Sequence, residues 1–165
     1  MRRKWIFGGA IFAMLTVAFI VAGQFSLSAL PEPGRVETYV ATKGKHFLIA
    51  RVSRDISQTR LNSPAAAAEG EKLYGAECSM CHGMDGHTVT GMARAMYPRG
   101  VDLTSAEVQG YSNPELFWIV KNGIRLSGMP GFGKTESDDH IWTIVQYIRS
   151  LETVNKSSEN KTPGK

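Results

Sequence analysis

Cys78-Ser79-Met80-Cys81-His82 is the stretch on which the fold of this 165-residue chain turns. It holds both cysteines of the sequence and one of its four histidines. Helix positions i and i+3 face the same way, so the two sulfurs can form thioethers to the two vinyl groups along one haem edge. His82 can then turn its imidazole beneath the iron as proximal ligand. Three other uses of these residues are weaker. A redox-active Cys-x-x-Cys belongs in a βαβ setting, and no such pattern surrounds this one. Zinc held by Cys78, Cys81, His82 and His87 would have to chelate through a cysteine and a histidine adjacent in sequence, which suits one tetrahedral ion poorly. A disulfide between Cys78 and Cys81 would close too short a loop to stabilise much, and it leaves His82 without a role. One covalent haem c is the expected cofactor.

Outward from the motif, the pattern is helical. Asn62-Ser63-Pro64 punctuates the chain, and Ala65 to Glu77 is a run of good helix formers despite Gly70. Residues 83–110 are glycine-rich, contain Pro98 and have little periodicity, so they read as loop. Ser112 or Asn113 is an N-cap, with Pro114 near the first helical position, Glu115 in the first turn and Gly123 as the stop. The last helix starts at Ser137, has Asp138 and Asp139 near its positive end, and spaces Ile141, Trp142, Ile144, Val145, Ile148 and Leu151 helically. Residues 152–165 are rich in Lys, Ser and Asn and read as a disordered tail. Residues 65–151 are therefore an all-α domain with three to four helices. So small a core with so much irregular chain calls for a large apolar cofactor or another staple.

Haem used for electron transfer generally carries a methionine as its second axial ligand. Met1 and Met14 fall in the N-terminal segment, Met80 lies between the cysteines, and Met84 is too near His82 to pass round the ring. Met92, Met96 and Met129 remain. Met129 sits in Gly128-Met129-Pro130-Gly131-Phe132, where glycine permits close backbone approach and proline stiffens the turn. It is the preferred ligand, and Met92 and Met96 read as core filler. His87, His46 and His140 are the alternatives, in that order.

With Gly70 and Tyr74 on the first helix, the Cys78, Cys81, His82 motif at its end, Pro98 in the loop, Met129 in its turn, and Trp142 and Tyr147 on the last helix, residues 66–151 resemble a class I (monohaem) cytochrome c domain. The resemblance implies an all-α, cytochrome c-like fold wrapped around the haem, its first and last helices crossing through Gly70 and either Trp142 or Tyr147. It also implies that a loop carbonyl orients the proximal imidazole, with Pro98 as the candidate. It does not account for residues 31–64.

Arg2, Arg3 and Lys4 precede an apolar run from Trp5 to Ala22, lengthened by Phe25, Leu27 and Leu30. That approaches the roughly 20 residues needed to span a bilayer and exceeds the usual core of a cleaved signal. Residues 1–30 are accordingly expected to be an uncleaved membrane anchor with its N-terminus in the cytoplasm. The small-residue pairs Val21/Gly23 and Ser26/Ser28 keep cleavage open. Residues 31–64 are read as a juxtamembrane linker. From Val36 to Val52 an amphipathic helix with Val36, Tyr39, Val40, Phe47 and Ala50 on one face is favoured over a hairpin about Lys43-Gly44-Lys45.

The composition, 42% hydrophobic and 21% charged, is that of a globular protein. Its formal charge of +4 is unevenly spread. Residues 1–30 hold three basic and no acidic groups, residues 31–65 six against three, residues 66–151 seven against ten, and residues 152–165 three against two. Basicity concentrated beside the anchor suits anionic lipid and removes nucleic acid as a partner.

The expected function is a membrane-tethered electron carrier, not an enzyme, with its haem domain on the periplasmic side. It would pass single electrons between a donor and an acceptor redox protein and take no small-molecule substrate. The rivals are a haem subunit fixed in a larger membrane oxidoreductase and a five-coordinate haem enzyme or sensor.

Overall fold

In a computed structural model, which describes residues 2–23, 28–58 and 63–159, the apolar run after Lys4 lies in a continuous helix, α1 (Arg2–Gly23). It belongs to a unit of its own, Met1–Pro31, with Phe7, Ile11, Phe12 and Phe19 exposed. Over the described residues, no helix is long and apolar enough to cross a membrane. Phe25, Ser26, Leu27 and Asn62 lie outside the described residues.

The second unit, Glu32–Lys165, is helical throughout its described elements. They are α2 (Arg35–Val52), α3 (Pro64–Glu77), α4 (Ser79–His82), α5 (Gly91–Arg94), α6 (Ala106–Gln109), α7 (Asn113–Asn122) and α8 (Asp138–Glu159). Three long helices, α3, α7 and α8, make the expected domain, and α4, α5 and α6 are single turns within the loops. Local chemistry sets the boundaries. The Ser63 hydroxyl caps α3 by accepting from Ala66 N, with Pro64 at its start. Ser112 and Glu115 form a reciprocal capping box on α7, and Gly123 ends it at φ 69°. At the start of α8, Ser137 Oγ accepts from His140 N.

The frame is the crossing of α3 and α8. A Cβ on Gly70 would stand 2.0 Å from Thr143 O and 3.1 Å from Tyr147 Cβ, so the two backbones touch there. Of the two aromatics expected at the crossing, Tyr147 flanks it. Trp142 instead stacks on Phe117 of α7, with ring centroids 4.3 Å apart. Ile141, Ile144 and Val145 are fully buried between these helices, and Tyr74 is buried with its hydroxyl donating to Gly83 O at 2.7 Å. Arg149 ties α8 to the loop before α7. Its guanidinium donates to Asn113 Oδ1 at 2.7 Å, to Gln109 O at 2.8 Å and to Tyr111 O.

The structure answers one question that the sequence left open, which face of α2 meets the domain, and corrects one expectation, the extent of the tail. The face of α2 turned toward the domain is not the apolar stripe. Ile49 and Ser53 are buried and Thr42, Lys45 and His46 half-buried, whereas Val36, Tyr39, Val40 and Phe47 are exposed. Long-range contacts decide this: His46 stacks flat on Tyr111 with centroids 4.2 Å apart, and Lys45 pairs with Glu107 at 3.1 Å. The expected disordered tail also begins too early, because α8 continues through residues 152–159, the helical spacing before Leu151 carrying on into residues that tolerate helix. Residues 160–165 lie outside the described residues.

Candidate haem site

Cys78 ends α3 and begins α4, so both cysteines and His82 sit on one tight turn. Cys81 N and His82 N both donate to Cys78 O, at 3.1 and 3.0 Å. The loop beyond is tied back to this turn: Thr90 Oγ1 donates to Met80 O at 2.8 Å and Thr90 N to Cys81 O at 3.1 Å. Asp85 closes the intervening bend, accepting from Thr88 N, Thr88 Oγ1 and His87 N. Those bonds, the Thr88 N–H first, hold its carboxyl below the usual carboxylate range.

His82 Nδ1 is 3.0 Å from Val101 O. A carbonyl can only accept, so Nδ1 carries the proton and the lone pair lies on Nε2, free to ligate a metal. Val101 thus corrects the expectation for Pro98. Tyr97 hydrogen-bonds Glu37 and Arg99 pairs with Glu32 at 2.8 Å, which carries the Tyr97-Pro98-Arg99 bend toward the start of the unit. Gly100 N donating to Ala93 O at 3.0 Å and Leu103 N to Gly86 O at 2.8 Å then bring the next carbonyls back to His82.

Met129 is half-buried and borders the same apolar cluster as Cys78. Its turn is pressed onto the end of α7. Ile124 N donates to Met129 O at 3.3 Å, Phe132 N to Val120 O at 3.1 Å and Gly133 N to Lys121 O at 2.8 Å. Ser127 Oγ accepts from Met129 N at 3.2 Å. The approach depends on glycine twice over: a Cβ on Gly123 would lie 2.6 Å from Gly131 N, and one on Gly131 2.6 Å from Asn122 C. Met96 packs its sulfur against the backbone of Gly128, while Met92 is exposed.

The alternative histidines are engaged elsewhere. His87 Nδ1 is 2.8 Å from Asp102 Oδ2, His140 Nδ1 is 2.8 Å from Glu136 Oε2, and His46 lies on Tyr111. Among the described residues, no three of His, Cys, Asp and Glu are grouped to hold a metal ion, which leaves the zinc reading without a site.

The thiols fit covalent attachment. Both are free. Burial, with lesser contributions from Glu77 and Cys81, pushes Cys78 up to about 12, so its surroundings favour an uncharged sulfur, as a thioether is, over a thiolate.

A family model described as cytochrome c oxidase, cbb3-type, subunit III, matches residues 65–148, about half of the chain. The chain belongs to this cytochrome c family. A domain of this family carries covalently bound haem c. A chain of the Kuenenia stuttgartiensis reducing HAO-like protein complex Kustc0457/Kustc0458 is similar to it, with 26% identity and a TM-score of 0.52. The likeness covers 58% of this chain and 47% of that one, so this chain spans about half the length of that neighbour. No match is found among the curated proteins.

Two parts of the cytochrome c domain site were missed in sequence, one of them without any readable signature. Val101 acts through its backbone, which any residue supplies. Ser127 could have been found as a hydroxyl two residues before the methionine, a spacing that favours a local side-chain to backbone bond. Gly123 was legible as a helix stop but not as the seat of the Met129 turn.

Proposed function

We propose that the protein is a membrane-tethered monohaem cytochrome c that carries single electrons between two redox proteins, with His82 and Met129 as the axial iron ligands. Haem c, when bound, supplies reversible one-electron cycling of its iron. The observation that carries the reading is the pair of fixed ligand positions. Val101 O holds the His82 ring in the tautomer that leaves Nε2 available, and the end of α7 holds the Met129 turn. Were haem bound with both ligands supplied by the chain, no position would remain for a substrate, and the task of the protein would be to hold His82 and Met129 in place. Methionine ligation and burial against the apolar cluster raise the potential relative to bis-histidine haem.

Residues 1–30 act as the anchor in this reading, with the N-terminus inside and the cytochrome domain on the outer side of the cytoplasmic membrane. The three cations before the apolar run and the exposed apolar side chains of α1 support it. Tethering raises the effective concentration near membrane-bound partners. The net acidity of residues 66–151 favours partners with a neutral or basic docking face.

The test is spectroscopic. An alkaline pyridine haemochrome spectrum should report one thioether-linked haem per chain. The oxidised protein should show the methionine-sulfur charge-transfer band, and the reduced protein should exclude carbon monoxide. Met129→Ala should lose the band and gain carbon monoxide binding. Ready carbon monoxide binding by the unaltered protein would overturn the ligand assignment and favour the five-coordinate reading.

A second reading, a haem subunit held within a larger oxidoreductase, is favoured by the neighbour's membership of a protein complex. Sizing after extraction in mild detergent separates the two, since a free carrier runs alone.

A further inference from the structure

We propose that the outer face of α2 lies on an anionic lipid surface, so that the cytochrome domain is held against the membrane and does not swing freely on its tether. This inference rests on the anchor reading given above. The helix has two distinct sides. One side, centred on Ile49 and Ser53, belongs to the domain core. The other carries Val36, Tyr39, Val40 and Phe47, at 77%, 65%, 62% and 67% exposure. At 100° per residue these four, with Ala50, fall within one third of the helix circumference. From Val36 to Phe47 the stripe is about 16 Å long at 1.5 Å per residue.

Charge selects lipid over a protein partner as the occupant. Exposed Lys43 and Arg51 lie within or beside the stripe, and the Lys43 ammonium is 6.0 Å from the Tyr39 ring. The acidic groups at this end are turned to the domain, Glu32 onto Arg99 and Glu37 onto Tyr97. An apolar stripe with aromatic members, bordered by cations and with its nearest carboxylates paired to domain residues, is the pattern of a helix lying in the headgroup region of an anionic bilayer. The domain face of the same helix is fixed by the His46–Tyr111 stack, the Lys45–Glu107 pair and Ile49. Immersing the outer face therefore immobilises the whole domain.

The full-length holoprotein suits the experiment, because both native cysteines are in thioether linkage and an introduced cysteine is the sole thiol. Phe47→Cys, Val40→Cys and, as a water-facing control, Asp139→Cys are spin-labelled and reconstituted into vesicles of phosphatidylcholine with one-quarter phosphatidylglycerol. Flotation is measured first, then label accessibility to oxygen and to a water-soluble nickel chelate. Labels at 47 and 40 should be oxygen-accessible and shielded from nickel, and the label at 139 the reverse. The immersion should weaken in pure phosphatidylcholine, and about fivefold for each of Lys43→Gln and Arg51→Gln, with the haem spectrum unchanged.

A protein that floats while the label at 47 stays in water overturns the docking and leaves the anchor standing. A protein that does not float overturns the anchor, and the docking with it. Dipolar broadening between labels at 47 would assign the face to a second copy of the chain instead of lipid.

Discussion

Gly123→Ala places one methyl group at the joint between α7 and the Met129 turn. Gly123 has φ 69° and ψ −172°, a region essentially confined to glycine that costs an alanine about 1–3 kcal/mol. The new Cβ would also meet Gly131 N and Pro130 C at 2.6 Å and Met129 O at 2.7 Å. All three are backbone atoms of a hydrogen-bonded turn, so they cannot rotate away as a side-chain tip would. Overpacking of this kind costs about 1–3 kcal/mol. The sum, about 2–6 kcal/mol, is a large part of a small domain's stability. With a urea m-value of about 1.5 kcal/mol/M, the unfolding midpoint should fall by about 1–4 M. The displaced residues include Met129 itself, so the methionine charge-transfer band should weaken under conditions where the protein is still folded. The comparison is Gly91→Ala, where nothing lies within 4 Å of the added carbon and the backbone is helical. That change should be neutral or slightly stabilising. Urea titration followed by far-UV dichroism, with the visible spectrum recorded in parallel, reads both effects. A Gly123→Ala midpoint within about 0.3 M of the parent, with the band intact, would refute the claim that this joint positions Met129.

Gly70→Ala should destabilise by about 3 kcal/mol or more, since its Cβ would overlap Thr143 O at 2.0 Å and force α3 off α8; thermal melting of the holoprotein measures it. Arg149→Lys keeps the charge but not the geometry that reaches Asn113, Gln109 and Tyr111 together, so denaturant unfolding should show a loss of about 2–3 kcal/mol. Asp85 has a lowered folded-state pKa, so its contribution is full above the ordinary carboxylate pKa and is lost as pH falls through the lower folded value. Asp85→Asn should accordingly be less stable at neutral pH and lose less on acidification, a difference that vanishes in strong acid and is read from melting temperature against pH.

How much of this was legible depends on whether the deciding contact is local. The bounds of α7 follow from Ser112, Pro114, Glu115 and Gly123, all within one short segment, and the structure uses each of them as expected. The Cys78 to His82 turn is equally local. The face of α2 is not. Its sequence offers one apolar stripe, and the mostly polar side is the one that meets the domain, because Tyr111 and Glu107, some sixty residues away, capture His46 and Lys45. The carbonyl above His82 was misplaced for a related reason. Pro98 has a readable side chain and Val101 O has none, and only the ties of Gly100 to Ala93 and Leu103 to Gly86 determine which carbonyl comes round.

The contact between Gly70 and Thr143 also governs the order in which the chain can assemble. The two residues are separated by most of the domain, so the closure that completes the core involves one of its longest loops. Before Thr143 and its helix arrive, α3 has no partner for its glycine face, and the Cys78 to Cys81 turn at its end stays on the outside of an incomplete core. A chain in which α8 had not yet docked would leave both thiols open to covalent attachment of haem. The docking of α8 then shuts the interior around whatever has been attached, and an attachment that came late would have to reopen the most extensive contact in the domain.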